Sequence, residues 1–410
     1  MIFGSVGFLK GVGSLIYLNP ALFFICIFFL LWWIPAEINI GFFCILLSVL
    51  AIPKSRIDWR RSINLRELSI IFLVCVNLFS LIINGASGAD VFYVVNISIG
   101  VYIYLLIVRS KLILKFIGYV YGAWLMGALL HLIFFFVNIL QEEDHARNFF
   151  SISGDQILKV PNDVVYFIIA FSISITIIKP FIQRKWNSIF ISIFTILLIF
   201  FSLNFGGRSI LIYSLMLAIG IILDTRKNIK NATMVISGVG LIYLFLNYEK
   251  YDSAVYRLLN LSPICDGRIP QWLLAFEIGI ENFWKGAGSS EFGRQWNNFV
   301  LNPVSDSCFY IDTRVISWPH NLLLEQFSFS GIFSLILLMY LLYSIVSFIF
   351  KSFKARILDE GLTFHFAVMV YILACLLDLT FYRLWVSVCF FMILYSVEFY
   401  FITNYYRRVK

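Results

Sequence analysis

Along most of the chain, polar residues are too sparse to mark one face of a helix or alternate positions of a strand. Runs such as Ile70–Ile83, Ile189–Leu203 and Leu335–Phe350 are apolar almost throughout, with short polar breaks between them. Segments apolar on every side belong in a large core or in lipid, and crossing a hydrocarbon layer of ~30 Å takes about 20 such residues. The pattern predicts helices near 18–35, 38–53, 68–86, 91–109, 112–139, 163–179, 187–204, 209–224, 232–248, 320–350, 361–380 and 384–404, twelve spans in all. Pro35 and Pro53 bracket a rather short second span. Residues 1–17, whose only charge is Lys10, do not read as a cleaved signal peptide. For them a place on the membrane surface is the alternative to a span.

Composition agrees. Of 410 residues, 61% are hydrophobic and 13% charged, against about 45–50% and roughly 25% in a soluble domain. The expectation is an all-α polytopic membrane protein, which excludes a soluble enzyme or a disordered chain. The net charge of +8 then reads as topology rather than as affinity for nucleic acid, because Lys and Arg gather in cytoplasmic loops. With both termini in the cytoplasm, the inner segments hold 21 basic and six acidic residues, a net of +15. The outer segments hold ten basic and 17 acidic residues, a net of −7.

Two outer segments are long: 141–162, with Glu142, Glu143, Asp144 and His145, and 249–319, a stretch able to fold on its own. The organisation is one integral domain: spans one to nine over 1–248, a periplasmic loop over 249–319, and the last three spans over 320–410. Hydropathy reveals no repeat of the transporter kind. Cys26, Cys44, Cys75, Cys375 and Cys389 fall in spans, as small apolar residues do. Cys265 and Cys308 share the large loop, where an oxidising compartment permits a disulfide. Such a bridge would add about 3–4 kcal/mol in the chain-entropy model; two independent thiols are the alternative.

Ionisable residues inside spans mark proton and ion pathways. Here they reduce to His131, His365 and Asp378, with His131 read as a packed core histidine. The remaining charges collect at helix ends and in the large loop, which favours chemistry at the outer leaflet over passage through the membrane. Three stretches carry candidate chemistry. In Asn204-Phe205-Gly206-Gly207-Arg208-Ser209, two glycines permit a turn whose N–H groups face an anion, and Arg208 opens the next helix. Its alternative role is to snorkel to headgroups. In Cys265-Asp266-Gly267-Arg268-Ile269-Pro270-Gln271-Trp272, Asp266 is a plausible N-cap and Pro270 suits a first turn. Ile269, Trp272, Leu273, Phe276 and Ile280 recur at helical spacing, giving an amphipathic helix packed on the membrane surface or on the bundle. Arg268 at its start suits a bidentate grip on phosphate, or a pair with Asp266. In Trp318-Pro319-His320-Asn321, Pro319 suits the first turn of the tenth span. His320 there sits at a helix N-terminus that disfavours imidazolium and keeps a neutral base available. No metal-ligand spacing, serine-hydrolase elbow or phosphate-binding loop is present in the sequence.

In order, these stretches resemble the O-antigen polymerase and O-antigen ligase superfamily. The resemblance rests on Gly207-Arg208-Ser209, Gly267-Arg268 with Trp272, Asn282-Phe283-Trp284-Lys285-Gly286-Ala287-Gly288, and Pro319-His320-Asn321 with Gly331 beyond. Phe283 stands where the family has proline, and Phe333-Ser334 replaces a second glycine after the histidine motif. The resemblance implies a helical bundle like that of the GT-C lipid-carrier glycosyltransferases, in a bacterial inner membrane. It implies a metal-independent enzyme without cofactor. Its partners would be an undecaprenyl-diphosphate-linked oligosaccharide donor and acceptor, with a chain-length regulator as a further one. His320 would position or deprotonate the acceptor hydroxyl, while Arg268 and Arg208 hold the diphosphate. Asn321, Trp272, Arg314, Glu325 and Arg383 are the substrate-binding candidates. The Asp-Gly-Arg lead-in to Trp272 favours a polymerase over a ligase; a lipid-linked oligosaccharide flippase is the rival of another class.

Overall fold

A computed structural model describes residues 5–31, 37–85, 87–141, 268–301, 318–354, 362–377, 381 and 384–409, with isolated positions between 169 and 220. Among the described residues the regular elements are all helices, and there is no strand. In chain order the helices are α1 (Ser5–Leu18), α2 (Pro20–Leu31), α3 (Glu37–Leu50), α4 (Leu65–Asn84), α5 (Gly88–Arg109), α6 (Ile113–Gln141), α7 (Arg268–Glu281), α8 (Ser289–Leu301), α9 (Leu322–Ser330), α10 (Ile332–Lys354), α11 (Leu362–Leu377) and α12 (Leu384–Val409). Four stretches are long and apolar enough to cross a membrane: 65–84, 88–109, 113–130 and 332–351. The protein is thus a helical membrane protein. The spans expected over 163–248 fall almost wholly outside the described residues.

Helix boundaries follow local chemistry. Asn64 caps α4 by accepting from the Glu67 N–H at 2.8 Å. Ser87 caps α5 by accepting from the Asp90 N–H at 3.2 Å and donates to the Asp90 carboxylate at 2.6 Å, a reciprocal cap of the Ser-x-x-acid type. Helix α5 lies at the centre and packs on α12. Gly100 makes that approach possible, since a Cβ there would stand 2.6 Å from Phe391 Cδ2 and 3.0 Å from the Ser387 carbonyl. Small residues at such crossings let membrane helices gain dispersion contacts that lipid cannot supply.

At the end expected in the cytoplasm, two counted charges are interior. Glu67 is fully buried and Arg109 is 5% exposed. They pair directly, and Arg109 also donates to the carbonyls of Trp59 and Arg61 at 3.4 and 3.3 Å. The 52–64 segment is thereby tied beneath α4 and α5.

The tenth expected span, 320–350, needs correction. Asn321, not Pro319, ends the loop: its side chain accepts from the N–H groups of Leu323 and Leu324 at 3.0 and 3.1 Å. Pro319 therefore precedes the helix instead of occupying its first turn. Helix α9 runs only nine residues to Ser330, buried over most of its surface, and stops at Gly331 with φ +81°. Only then does α10 cross. Broken helices are tolerated at membrane depth where protein satisfies the freed backbone groups, and here it does. Ala287 N–H donates to the Ser328 carbonyl at 2.8 Å, Gly288 N–H to Phe329 at 3.1 Å, and Ile332 N–H to Phe283 at 2.8 Å. Ser80 Oγ adds a bond to the Phe329 carbonyl at 2.7 Å.

Candidate functional site

The break between α9 and α10 is surrounded by uncharged polar side chains from four helices. Asn77 donates to Gln326 at 3.2 Å and to Ser334 at 3.3 Å, and accepts from Ser330 at 2.7 Å. Gln326 reaches the Tyr93 hydroxyl and accepts from Ser334. Asn84 closes the network by donating to the Gly286 carbonyl at 3.0 Å. Asn77, Ser80 and Asn84 stand at helical spacing on α4, and Gln326 and Ser330 do so on α9, so two polar stripes meet. Sequence reading missed both, although the spacing was visible. In a bilayer such bonds are worth about 0.6 kcal/mol each, up to ~1.7, and together they hold α9 in one register.

A second clamp ties the long loop to the bundle. Asp90, at the start of α5, accepts from the Ser289 N–H and hydroxyl, both at 2.6 Å, and from the Ser290 hydroxyl at 2.6 Å. One carboxylate thus caps α8 across nearly 200 residues of sequence, where anionic charge meets the helix dipole favourably. On α8 itself Arg294 forks onto Glu291 at 2.9 and 2.6 Å. Those hydrogen bonds hold the Glu291 carboxyl below its ordinary value.

On this frame sits the turn before α9. His320 has φ +55° and is the only non-glycine residue with positive φ among the described residues. The left-handed region costs an L-residue roughly 1–2 kcal/mol, although histidine enters it more readily than most. Such strain persists where the surroundings over-determine it, and clusters at working sites. The Asn321 cap and the Trp318 ring, edge-on to the imidazole at 6.0 Å between centroids, are the neighbours that hold it. The residue is partly exposed, with Nδ1 on the buried side.

Arg268 begins α7, and Pro270 falls in that helix's first turn, as its fixed φ favours. The Arg268 guanidinium donates to the Leu377 carbonyl at 3.1 Å, a cation at the C-terminus of α11 where the dipole favours it. Four residues on, the Phe381 N–H donates to Glu325 Oε1 at 2.9 Å. Glu325 is fully buried, so it grips protein backbone instead of lining an open wall. Leu377 is therefore held by Arg268 from α7, and Phe381 by Glu325 from α9, one turn beyond His320. Trp272 is half-buried on α7.

The stretch Phe283 to Gly288 is the fastening of the loop, not a display of reactive groups. Gly286 has φ +68°, and a Cβ there would overlap the Phe329 carbonyl and the Ser330 nitrogen. A Cβ on Gly331 would lie 2.6 Å from the Trp284 oxygen. Both glycines are demanded by backbone meeting backbone.

Of the other expectations, Arg208, Arg314, Arg383, Asp378, Asp266, Cys265 and Cys308 lie outside the described residues. His131 lies on α6. His365 is buried on α11, edge-on to the rings of Phe364 and Tyr400, which stack on each other. Among the described residues, no group of three or more His, Cys, Asp or Glu is arranged to hold a metal ion. No protein-family model matches the chain, and no curated protein matches it.

Proposed function

We propose that this chain is a metal-independent glycosyltransferase of the bacterial inner membrane, an O-antigen polymerase joining undecaprenyl-diphosphate-linked repeat units at the periplasmic face. The observation that carries the reading is the strained His320 turn. Among the described residues, the one non-glycine residue held in the left-handed region is the histidine that the sequence marks as the base. Arg268 holds Leu377, and Glu325 on the helix that follows His320 holds Phe381.

In this reading an acceptor sugar hydroxyl attacks the donor's anomeric carbon. The new glycosidic C–O bond forms as the bond to the diphosphate oxygen breaks, and undecaprenyl diphosphate leaves with the electron pair. The imidazole of His320 takes the hydroxyl proton, a role worth roughly 10²–10⁴-fold in rate. Arg268, with Arg208, stabilises the charge gathering on the diphosphate. Losing one such donor costs about 3 kcal/mol, or 10²–10³-fold. Asn321, Trp272, Arg314 and Arg383 would contact sugar or phosphate, and Glu325 acts by positioning.

The test is purified protein in vesicles with undecaprenyl-diphosphate repeat units. A ladder of lengthened lipid-linked glycans is expected, lost in His320→Ala and in Arg268→Ala while both variants stay folded in the membrane. With lipid A-core added to the vesicles as a second acceptor, transfer only to it would make the chain a ligase. Transbilayer movement of the lipid without a new glycosidic bond would mark a flippase. Transfer at the parental rate by both variants overturns the mechanism.

A further inference from the structure

Helix α7 presents three distinct sectors. Gln271, Ala275, Ile278 and Gly279 are buried, and Gly279 lies so close to the Phe327 ring of α9 that a Cβ would overlap it. At 3.6 residues per turn, Leu273, Phe276 and Ile280 share a sector of about 60° on another side. They are 55, 49 and 54% exposed. Glu277 and Glu281, also exposed, follow along one edge of that sector. The helix thus has a packing face, an uncovered apolar face and an acidic edge.

The apolar face does not end with the helix. Phe283 and Trp284 extend it, their rings 5.0 Å apart at right angles, and Trp284 lies 5.7 Å from the ring of Phe333. Phe333 heads a stripe on α10 that continues through Ile336, Met339, Tyr343 and Phe350, each more than half exposed. That helix is long and apolar enough to cross a membrane, and acyl chains are the solvent in which such a stripe is stable. Phe276 of α7 and Phe283 both lie against the Phe327 ring, at 6.2 and 6.0 Å, so ring contacts run from α7 by way of Phe283 and Trp284 to Phe333. Lys285, exposed next to Trp284, supplies the Trp and Lys pairing that marks headgroup level.

We infer that α7 is a lipid-embedded helix: Leu273, Phe276 and Ile280 lie among the acyl chains of the leaflet on the long loop's side of the membrane. Its acidic edge faces the water, as an interfacial amphipathic helix requires. The long loop is then not a cap standing clear of the bilayer but is sunk into it along α7. This placement holds whether or not the chain transfers sugars.

Nitroxide labels test it. The full chain without its native cysteines, carrying Leu273→Cys, Phe276→Cys or Ile280→Cys, is reconstituted in phosphatidylethanolamine and phosphatidylglycerol vesicles. Collision with oxygen and with a water-soluble nickel complex is read by power saturation. The oxygen-to-nickel accessibility ratio at these three positions should match that of Ile336→Cys and Met339→Cys on α10, and exceed that of Glu281→Cys several-fold. Nickel access equal to that of Glu281→Cys overturns the inference in favour of an aqueous face. Low access to both reagents overturns it in favour of a protein partner. The chain with all its cysteines and a photo-crosslinking phenylalanine analogue at position 276 gives a second reading. A phospholipid adduct is expected; a crosslinked second copy, or no adduct, overturns the inference.

Discussion

The closure of the long loop onto α9 rests on glycine, and its strength can be measured with one methyl group. Gly286→Ala places a Cβ at φ +68°, where an L-residue is disfavoured by about 1–2 kcal/mol. The methyl also overlaps the Phe329 carbonyl and the Ser330 nitrogen. These are backbone atoms, so no rotamer relieves the clash. Relief means lifting the loop, which loosens the bonds from Ala287 N–H to Ser328 and from Gly288 N–H to Phe329, 2.8 and 3.1 Å long. Each is worth about 1 kcal/mol net, and more where a buried carbonyl is left unmet. The expected loss is about 3–5 kcal/mol. Gly122→Ala is the control: it lies within α6 with nothing within 4 Å of a Cβ. There alanine should gain up to ~1 kcal/mol in helix propensity. Apparent melting of the detergent-solubilised protein at a fixed scan rate reads both, since unfolding of such a protein is often irreversible. Gly286→Ala should melt several degrees below the parent and Gly122→Ala at or above it. A Gly286→Ala protein as stable as the parent, or two variants falling equally, refutes the closure.

Two further outcomes follow from buried charge. Arg109→Ala leaves Glu67 charged and fully buried, so it should lose about 3–5 kcal/mol. Arg61→Ala removes a 4.0 Å contact with Glu67 and an exposed 3.4 Å bond to the Val108 carbonyl, from a side chain 48% exposed, and should cost about 1 kcal/mol or less; equal losses by the same melting assay would show that Glu67 does not depend on Arg109. Asp90→Ala strips Ser87, Ser289 and Ser290 of their shared acceptor. Amide hydrogen exchange at residues 289–292 should accelerate at least tenfold while that of α12 stays unchanged, and unaltered exchange would mean the clamp carries no local stability.

Hydropathy made α4, α5, α6 and α10 legible, because a run of some 20 apolar residues is stable in water only when a large core surrounds it. It missed the break at Gly331 because one glycine barely alters a windowed average, and the residues on either side are apolar. What distinguished that place was a cluster of small polar residues, Ser328, Ser330, Gly331 and Ser334, inside an otherwise greasy run. The charge count enters Glu67 and Arg109 by sign alone and so does not reveal that they pair in the interior. Ser87 and Asp90 could be read as a local helix cap from their spacing. Their second task, holding Ser289 and Ser290, joins residues too far apart for any pattern to connect. For the candidate site, the sequence pattern places His320 in the first turn of a helix, whereas it lies one residue before the Asn321 cap. Its left-handed backbone and the confinement of Glu325 to the interior needed coordinates.

Backbone satisfaction also ties the motif glycines to the candidate base. A membrane helix that stops at Ser330 leaves backbone carbonyls that lipid cannot satisfy. The loop from Phe283 to Gly288 satisfies them, and only glycine at 286 and 331 allows the approach. Ending α9 after nine residues frees its other end: the helix is short enough to be held at both termini, by the loop and Ser80 at one and by the Asn321 cap at the other. Glu325, one turn into α9, then fixes Phe381, while Arg268 fixes Leu377 from the helix that the same loop continues. The helix that follows His320 is therefore braced by contacts to α4, to the loop and to Phe381. A left-handed residue persists where its surroundings are fixed, and His320 directly precedes this braced helix. Gly286 and Gly331 bear on His320 only through the helix that it precedes.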